Sequence, residues 1–137
     1  MDFIRGEILL DPNFIYPDGG KPCDKLLLIV NKKHQSKDDV VLIPAKTNTS
    51  SYPYKPNCNE DVKEFYIQTS LGFYNPNTII QLNQIFSWEF DETEEKINSG
   101  KIRKLSKTTT QNEIGLIISC LKKIKEDIPL GLHDLIF

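Results

Sequence analysis

KLLLIVNK, residues 25–32, is the stretch that decides the fold. Its continuous aliphatic centre is too short for a typical helix and suits a strand that is covered on both faces. VVLIPA, residues 40–45, repeats this pattern, and Pro44 marks the end of a strand or an edge position. A polar connection separates the two runs. The sequence therefore predicts two neighbouring buried strands, with Lys25 at the start of the first.

Four further segments have the pattern of short strands. They are RGEILL (5–10), EFYIQT (64–69), TIIQLNQIFSWEF (78–90) and KIRKL (101–105). The third of them supplies one long strand, or two strands joined by a bulge near Asn83. Residues 11–22 hold three prolines and two glycines and predict a loop. Residues 46–61 predict a second loop, of a length that is often functional.

Helical patterns occupy the last third of the chain. A short helix is predicted to begin at the acidic capping pair Asp91 and Glu94 and to end at Gly100. A second capping box, T-x-x-E, precedes an amphipathic helix over about residues 110–126. The apolar tail 128–137 then docks either on the domain or on a partner. These elements predict one domain over residues 1–137, mainly β with α: a small β-barrel with a short helix and a C-terminal amphipathic helix.

Composition narrows the class of protein. Hydrophobic residues make up 39% and charged residues 26% of the 137 residues, as in an ordinary globular domain. No apolar run reaches the length of a membrane helix, and MDFIRGEILL lacks the layout of a signal peptide, so we expect a cytoplasmic protein. Three widely spaced cysteines predict no disulfide framework. With two histidines and no CxxC or HxxxH spacing, we expect no metal site and no cofactor.

Charge is segregated along the chain although the net charge is only −2. Residues 21–55 carry seven lysines and three aspartates, whereas residues 59–95 carry eight acidic residues and one lysine. Residues 96–127 return to eight basic and three acidic residues. This charge pattern has two interpretations. The basic segments form a face that binds phosphate, or they form two solvated surfaces that carry lysines and bind nothing.

The order of these elements resembles the MazF/PemK/Kid family of toxin endoribonucleases, which have an SH3-like barrel. RGEILLDPNF, a Gly-rich loop, a basic residue before an aliphatic strand, and a strand ending in Pro44 resemble the family's first part. IIQLNQIFSW, an acidic short helix, SGKIRKLS and a terminal helix resemble its final third. The resemblance covers roughly residues 5–124. It implies metal-free cleavage of single-stranded RNA in a toxin–antitoxin system, a homodimer and a protein antitoxin as partner.

The resemblance assigns three candidate catalytic residues. The family's R-P-A-L-V-V-S strand falls on KLLLIVN, so Lys25 stands where the family has its functional arginine. The family's P-x-T-T falls on residues 44–47, with Lys46 in place of the first threonine and Thr47 on the second. Lys25 and Lys46 would supply positive charge near the phosphate, although an ammonium does not make the bidentate contact of an arginine. Thr47 would position a phosphate oxygen.

Substrate-binding candidates surround these three positions. They are Lys21, Thr49, Tyr52, Gln81 and Asn83. Gln81 and Asn83 fall on the family's late polar strand, and their amides donate hydrogen bonds but do not transfer protons near neutral pH. Tyr52 lies beside lysine in a loop and either stacks a base or packs on the barrel rim. Histidine is the residue type whose ordinary pKa lies near neutrality, and His34 lies in a polar loop.

Two other functions remain open for this sequence. The loss of the arginine, and of an ionisable group at Asn83, favours a catalytically inactive barrel that binds RNA or protein through the same loops. A pure interaction module would use the acidic stretch 89–95 and the apolar tail. For Lys25 the structural alternative is a strand-terminal charge that keeps an apolar edge soluble. An enzyme is expected to bring Lys25, Lys46 and Thr47 to one concave surface.

Overall fold

One eight-stranded antiparallel sheet forms the centre of the computed structural model, which describes residues 2–33, 37–69 and 72–137. The strands are β1 (Glu7–Phe14), β2 (Cys23–Ile29), β3 (Val40–Thr47), β4 (Asn57–Asn59), β5 (Glu64–Ile67), β6 (Thr78–Ile80), β7 (Phe86–Trp88) and β8 (Arg103–Thr108). Their order is β4-β5-β6-β3-β2-β1-β8, and β7 also pairs with β3. Within the described residues no pairing joins the outer strands β4 and β8. The fold is mainly β with α-helices.

The central strand β3 carries a different partner on each edge. β2 pairs along one edge, and β6 and β7 share the other. A 3₁₀ turn at Leu82–Gln84 separates β6 from β7. Of the two predicted alternatives, the structure has two strands, and they are joined by a 3₁₀ turn and not by a bulge.

Both faces of the sheet are covered by apolar side chains. On one face, the buried strand residues Ile8, Leu28, Ile43 and Phe65 pack in one cluster with the long helix at residues 111–123 and with the tail. On the other face a second cluster includes Phe3, Leu9, Phe14, Leu27, Leu42 and Ile102. The prediction that the two aliphatic runs form strands covered on both faces is confirmed.

Three helices are present in the described part of the chain: α1 (Phe90–Asn98), α2 (Gln111–Lys123) and α3 (His133–Ile136). The capping box at the start of α2 is confirmed, because Thr110 accepts from the Glu113 N–H at 3.1 Å and the Glu113 carboxylate accepts from the Thr110 N–H. The predicted box at Asp91 is wrong. Helix α1 begins one residue earlier, at Phe90, and Glu89 occupies the cap position without a side-chain hydrogen bond.

The apolar tail docks on the chain's own core. Leu132 and Ile136 are buried in the cluster that contains α2. The Lys32 N–H donates to the Leu135 carbonyl at 2.8 Å, and the Arg5 guanidinium donates to the Ile136 carbonyl. Burial lowers the pKa of Arg5. The tail was predicted to dock either on the domain or on a partner, and in the structure it docks on the domain.

Two loop predictions are wrong in part. Strand β1 continues through Pro12 to Phe14, because a bulge between Asp11 and Phe14 shifts its register with β2. The second predicted loop contains β4, which pairs with β5. No helix among the described residues is long and apolar enough to cross a membrane.

A disulfide between Cys58 and Cys120 contradicts the expectation of unpaired cysteines. Helix α2 packs against β4 and brings the two Cα atoms to 5.5 Å. The two cysteines are 62 residues apart in sequence, and Cys23 forms no disulfide. An odd number of cysteines therefore did not exclude one disulfide.

Candidate functional site

Lys25 and Lys46 lie side by side on neighbouring strands. The β2–β3 register pairs Leu26 with Ala45, so the next position outward places Lys25 beside Lys46. Directly opposed residues of antiparallel strands point to the same face of a sheet. Asp11 of β1 lies opposite Lys25 in the same row. The expected approach of the two lysines is confirmed, and it follows from the pairing of the two aliphatic runs.

Tyr16 and Gln81 extend this face beyond Lys25. The Lys25 Nζ atom lies 5.6 Å from the centre of the Tyr16 ring, a cation–π distance. The Tyr16 hydroxyl donates to Gln81 Oε1 at 2.6 Å, and Gln81 is buried at the end of β6. Gln81 thus belongs to the lysine face, with its carbonyl occupied by Tyr16 and its NH₂ group carrying the remaining donors.

Glu64 lies beside Lys46 on the same face. Its carboxylate oxygen Oε2 is 3.9 Å from Lys46 Nζ, and only 9% of the Glu64 side chain is exposed, against 40% for Lys46. The other oxygen, Oε1, accepts the Tyr54 hydroxyl. Burial, with the hydrogen bond to Glu64 next, raises the pKa of Tyr54 to about 12. Tyr54 therefore stays protonated at neutral pH and continues to donate to Glu64.

Thr47 borders a cavity on the other face of β3. A cavity of about 310 Å³ is lined by Lys25, Lys46 and Thr47 together. Side chains alternate along a strand, so Thr47 leaves β3 on the face of Ala45, opposite to Lys46. Thr78, which pairs with Thr47, lines the cavity as well. All three candidate catalytic residues line this cavity, but the ammonium groups of Lys25 and Lys46 leave the sheet on the face opposite to the Thr47 hydroxyl, so the three functional groups do not converge from one face.

The other predicted residues lie outside this cavity. Lys21 and Thr49 are exposed in flanking loops and do not line it. The Tyr52 ring packs on Tyr54, with centroids 4.7 Å apart, and its hydroxyl donates to Asp61. That hydrogen bond raises the pKa of Tyr52 and lowers that of Asp61. Asn83 is exposed.

Asn83 instead marks the junction between the 3₁₀ turn and β5. Its backbone N–H donates to the Lys63 carbonyl at 3.0 Å and its side-chain amide to the Val62 carbonyl at 3.5 Å. Asn83 therefore joins the turn to the residues directly before Glu64. His34 lies outside the described residues.

Sequence reasoning missed Tyr16 and Glu64, and it did not predict the contact between Tyr54 and Glu64. One signal was present for Glu64: if Phe65 and Ile67 of the alternating strand face one core, Glu64 and Tyr66 must face the other side. The contacts of Tyr16 and Tyr54 depend on how two loops fold back over the sheet, and no local pattern records that.

Across residues 2–33, 37–69 and 72–137, no group of three or more His, Cys, Asp or Glu side chains is placed to hold a metal ion. The chain matches no family model, no curated protein and no solved structure.

Proposed function

We propose that this chain is a toxin-like endoribonuclease of the MazF/PemK type, an SH3-like barrel that cleaves single-stranded RNA without a metal ion. The observation that carries the proposal is the placement of Lys25 and Lys46 side by side on one face of the sheet, with the Glu64 carboxylate beside Lys46. Two adjacent ammonium groups are suited to a phosphodiester, whose two non-bridging oxygens share a negative charge that grows during attack on phosphorus.

Each residue of the site has a role in this reaction. Lys25 and Lys46 hold the phosphate and stabilise its developing charge. Thr47 contributes a hydroxyl to the cavity and holds an oxygen of a flanking nucleotide. The NH₂ group of Gln81 donates to the ribose or a base, since Tyr16 occupies its carbonyl. Lys21, Thr49, Tyr52 and Asn83 contact the RNA farther from the scissile bond.

The proposal extends to the partners and the compartment. A homodimer and a protein antitoxin in the cytoplasm follow from the family resemblance. The lysine face suits an antitoxin segment that carries carboxylates, because such a segment offers the lysines the charge that RNA phosphates offer.

RNA cleavage by the purified chain in the presence of a chelator tests the proposal. We expect cleavage of single-stranded RNA at mapped positions, with 2′,3′-cyclic phosphate and 5′-hydroxyl ends. An RNA with a single 2′-deoxy substitution at the mapped nucleotide should be bound but not cut, because the attacking hydroxyl is missing. Cleavage of this deoxy-substituted RNA at the same bond would contradict the mechanism. Loss of all cleavage in chelator would contradict the metal-free reaction.

Salt dependence of binding separates the enzyme from a protein without an RNA site. For single-stranded RNA, the slope of log K for binding against log salt concentration is about −0.7 for each phosphate that the protein neutralises. The one phosphate held by the lysine pair therefore predicts a slope of about −0.7, measured by fluorescence anisotropy with the deoxy-substituted RNA. The absence of an arginine at position 25 favours the second candidate, an inactive RNA-binding barrel. That protein would have the same slope and no cleavage.

A further inference from the structure

We infer that Glu64 is the general base of this site, which accepts the proton of the attacking ribose 2′-hydroxyl. This inference rests on the proposed ribonuclease activity. The site also needs a group that accepts a proton. An ammonium, a hydroxyl and an amide supply positive charge and hydrogen bonds but are not general bases at neutral pH. Glu64 is a carboxylate on the same face of the sheet as Lys25 and Lys46, and carboxylates act as general bases in enzymes.

The register of the sheet places Glu64 at the lysine pair. Tyr66 pairs with Ile79 of β6, and Ile79 pairs with Lys46 of β3. Glu64 is two residues before Tyr66, so the side chains of both point to the face of Lys46. The ion pair between Lys46 and Glu64 agrees with this placement and offsets part of the cost of burying a carboxylate.

The two oxygens of Glu64 have different neighbours. Oε1 accepts the hydroxyl of Tyr54, which fixes the orientation of the carboxylate. Oε2 faces Lys46 at 3.9 Å, which is longer than a direct N–H···O hydrogen bond. With this spacing Oε2 can accept from the attacking 2′-hydroxyl while Nζ donates to the leaving 5′-oxygen of the same phosphate, each over about 2.8 Å. The carboxylate and the ammonium can therefore act on one ribose-phosphate unit.

The proton transfers balance without any further reactant. As the 2′-oxygen forms its bond to phosphorus, its proton passes to Glu64 Oε2. The bond between phosphorus and the 5′-oxygen breaks, its electron pair stays on that oxygen, and the oxygen takes a proton from the Lys46 ammonium. The products are a 2′,3′-cyclic phosphate and a 5′-hydroxyl. The Lys46 amine then takes the proton from the Glu64 carboxyl group, which restores both residues.

Glu64→Gln tests the role, because glutamine keeps the size and hydrogen bonding of the side chain but does not accept the proton. We expect the rate of RNA cleavage to fall about 10²–10⁴-fold. Binding of the 2′-deoxy-substituted RNA, measured by anisotropy, should stay within about twofold of wild type, because the phosphate contacts remain. Glu60→Gln is the matched control, since Glu60 is exposed in the turn before β5. Wild-type cleavage by Glu64→Gln would overturn the inference and leave the proposed function intact.

A substrate with an altered leaving group distinguishes the base from the acid. In an RNA whose scissile 5′-oxygen is replaced by sulfur, the leaving thiolate needs no proton. The defect of Glu64→Gln should persist with this RNA, whereas a defect in a proton donor should largely disappear. Recovery of the wild-type rate by Glu64→Gln on the sulfur-substituted RNA would overturn the base role. If Glu64→Gln does not fold, the same comparison is made with Glu64→Asp, which keeps a carboxylate one methylene farther back. Failure of the wild type to cut either RNA would overturn the proposed function and the base role with it.

Discussion

Reduction of the Cys58–Cys120 disulfide is expected to lower the free energy of unfolding by about 4 kcal/mol, as estimated from loop entropy. The bond closes a loop between residues 62 apart in sequence, and a long closed loop restricts the unfolded chain strongly. It also joins β4 to α2, and β4 pairs with the strand that carries Glu64. Urea unfolding with and without dithiothreitol measures the difference.

Matched variants separate this bond from the other cysteine. The double variant Cys58→Ala/Cys120→Ala should have the midpoint of the reduced wild type, and dithiothreitol should not change it further. Cys23→Ala, whose thiol is unpaired, should retain the full response to dithiothreitol. An unchanged wild-type midpoint on reduction would show that the bond does not stabilise the fold. In a reducing cytoplasm the protein would have to fold without this contribution.

The lysine pair shows how far sequence reasoning reaches for this chain. The two aliphatic runs are close in sequence and were expected to form neighbouring strands, and their pairing places Lys25 beside Lys46. The capping box of α2 was also predicted correctly, because its two partners, Thr110 and Glu113, lie only three residues apart. Local spacing decided both features.

Long-range contacts account for what the sequence did not reveal. Pro12 predicted a loop, yet the bulge accommodates it inside β1. Cys58 meets Cys120 only because α2 crosses β4. Glu64 reaches Lys46 through two successive strand pairings, β5 with β6 and β6 with β3. In each case the deciding neighbour lies far away in sequence, where neither periodicity nor propensity applies.

Removal of either lysine of the pair, Lys25 or Lys46, is expected to lower the rate of RNA cleavage strongly. Loss of one charged donor at a developing oxyanion typically costs about 10²–10³-fold in rate. We expect about 10²-fold for Lys25→Ala and about 10³-fold for Lys46→Ala, because Lys46 also protonates the leaving oxygen. Lys107→Ala removes the same charge from an exposed position on β8 and should stay within about twofold of wild type. Single-turnover cleavage of the mapped RNA measures all three rates.

Arginine substitutions test whether each lysine supplies only positive charge or also donates a proton. Lys25→Arg should recover most of the rate that Lys25→Ala loses, because a guanidinium keeps the charge and adds a bidentate contact with phosphate. Lys46→Arg should stay close to Lys46→Ala with ordinary RNA, because arginine does not release its proton near neutral pH. With the sulfur-substituted RNA, which needs no proton on its leaving group, Lys46→Arg should approach the wild-type rate. Equal recovery by both arginine variants on ordinary RNA would mean that Lys46 supplies charge alone, and the leaving oxygen would then take its proton from water.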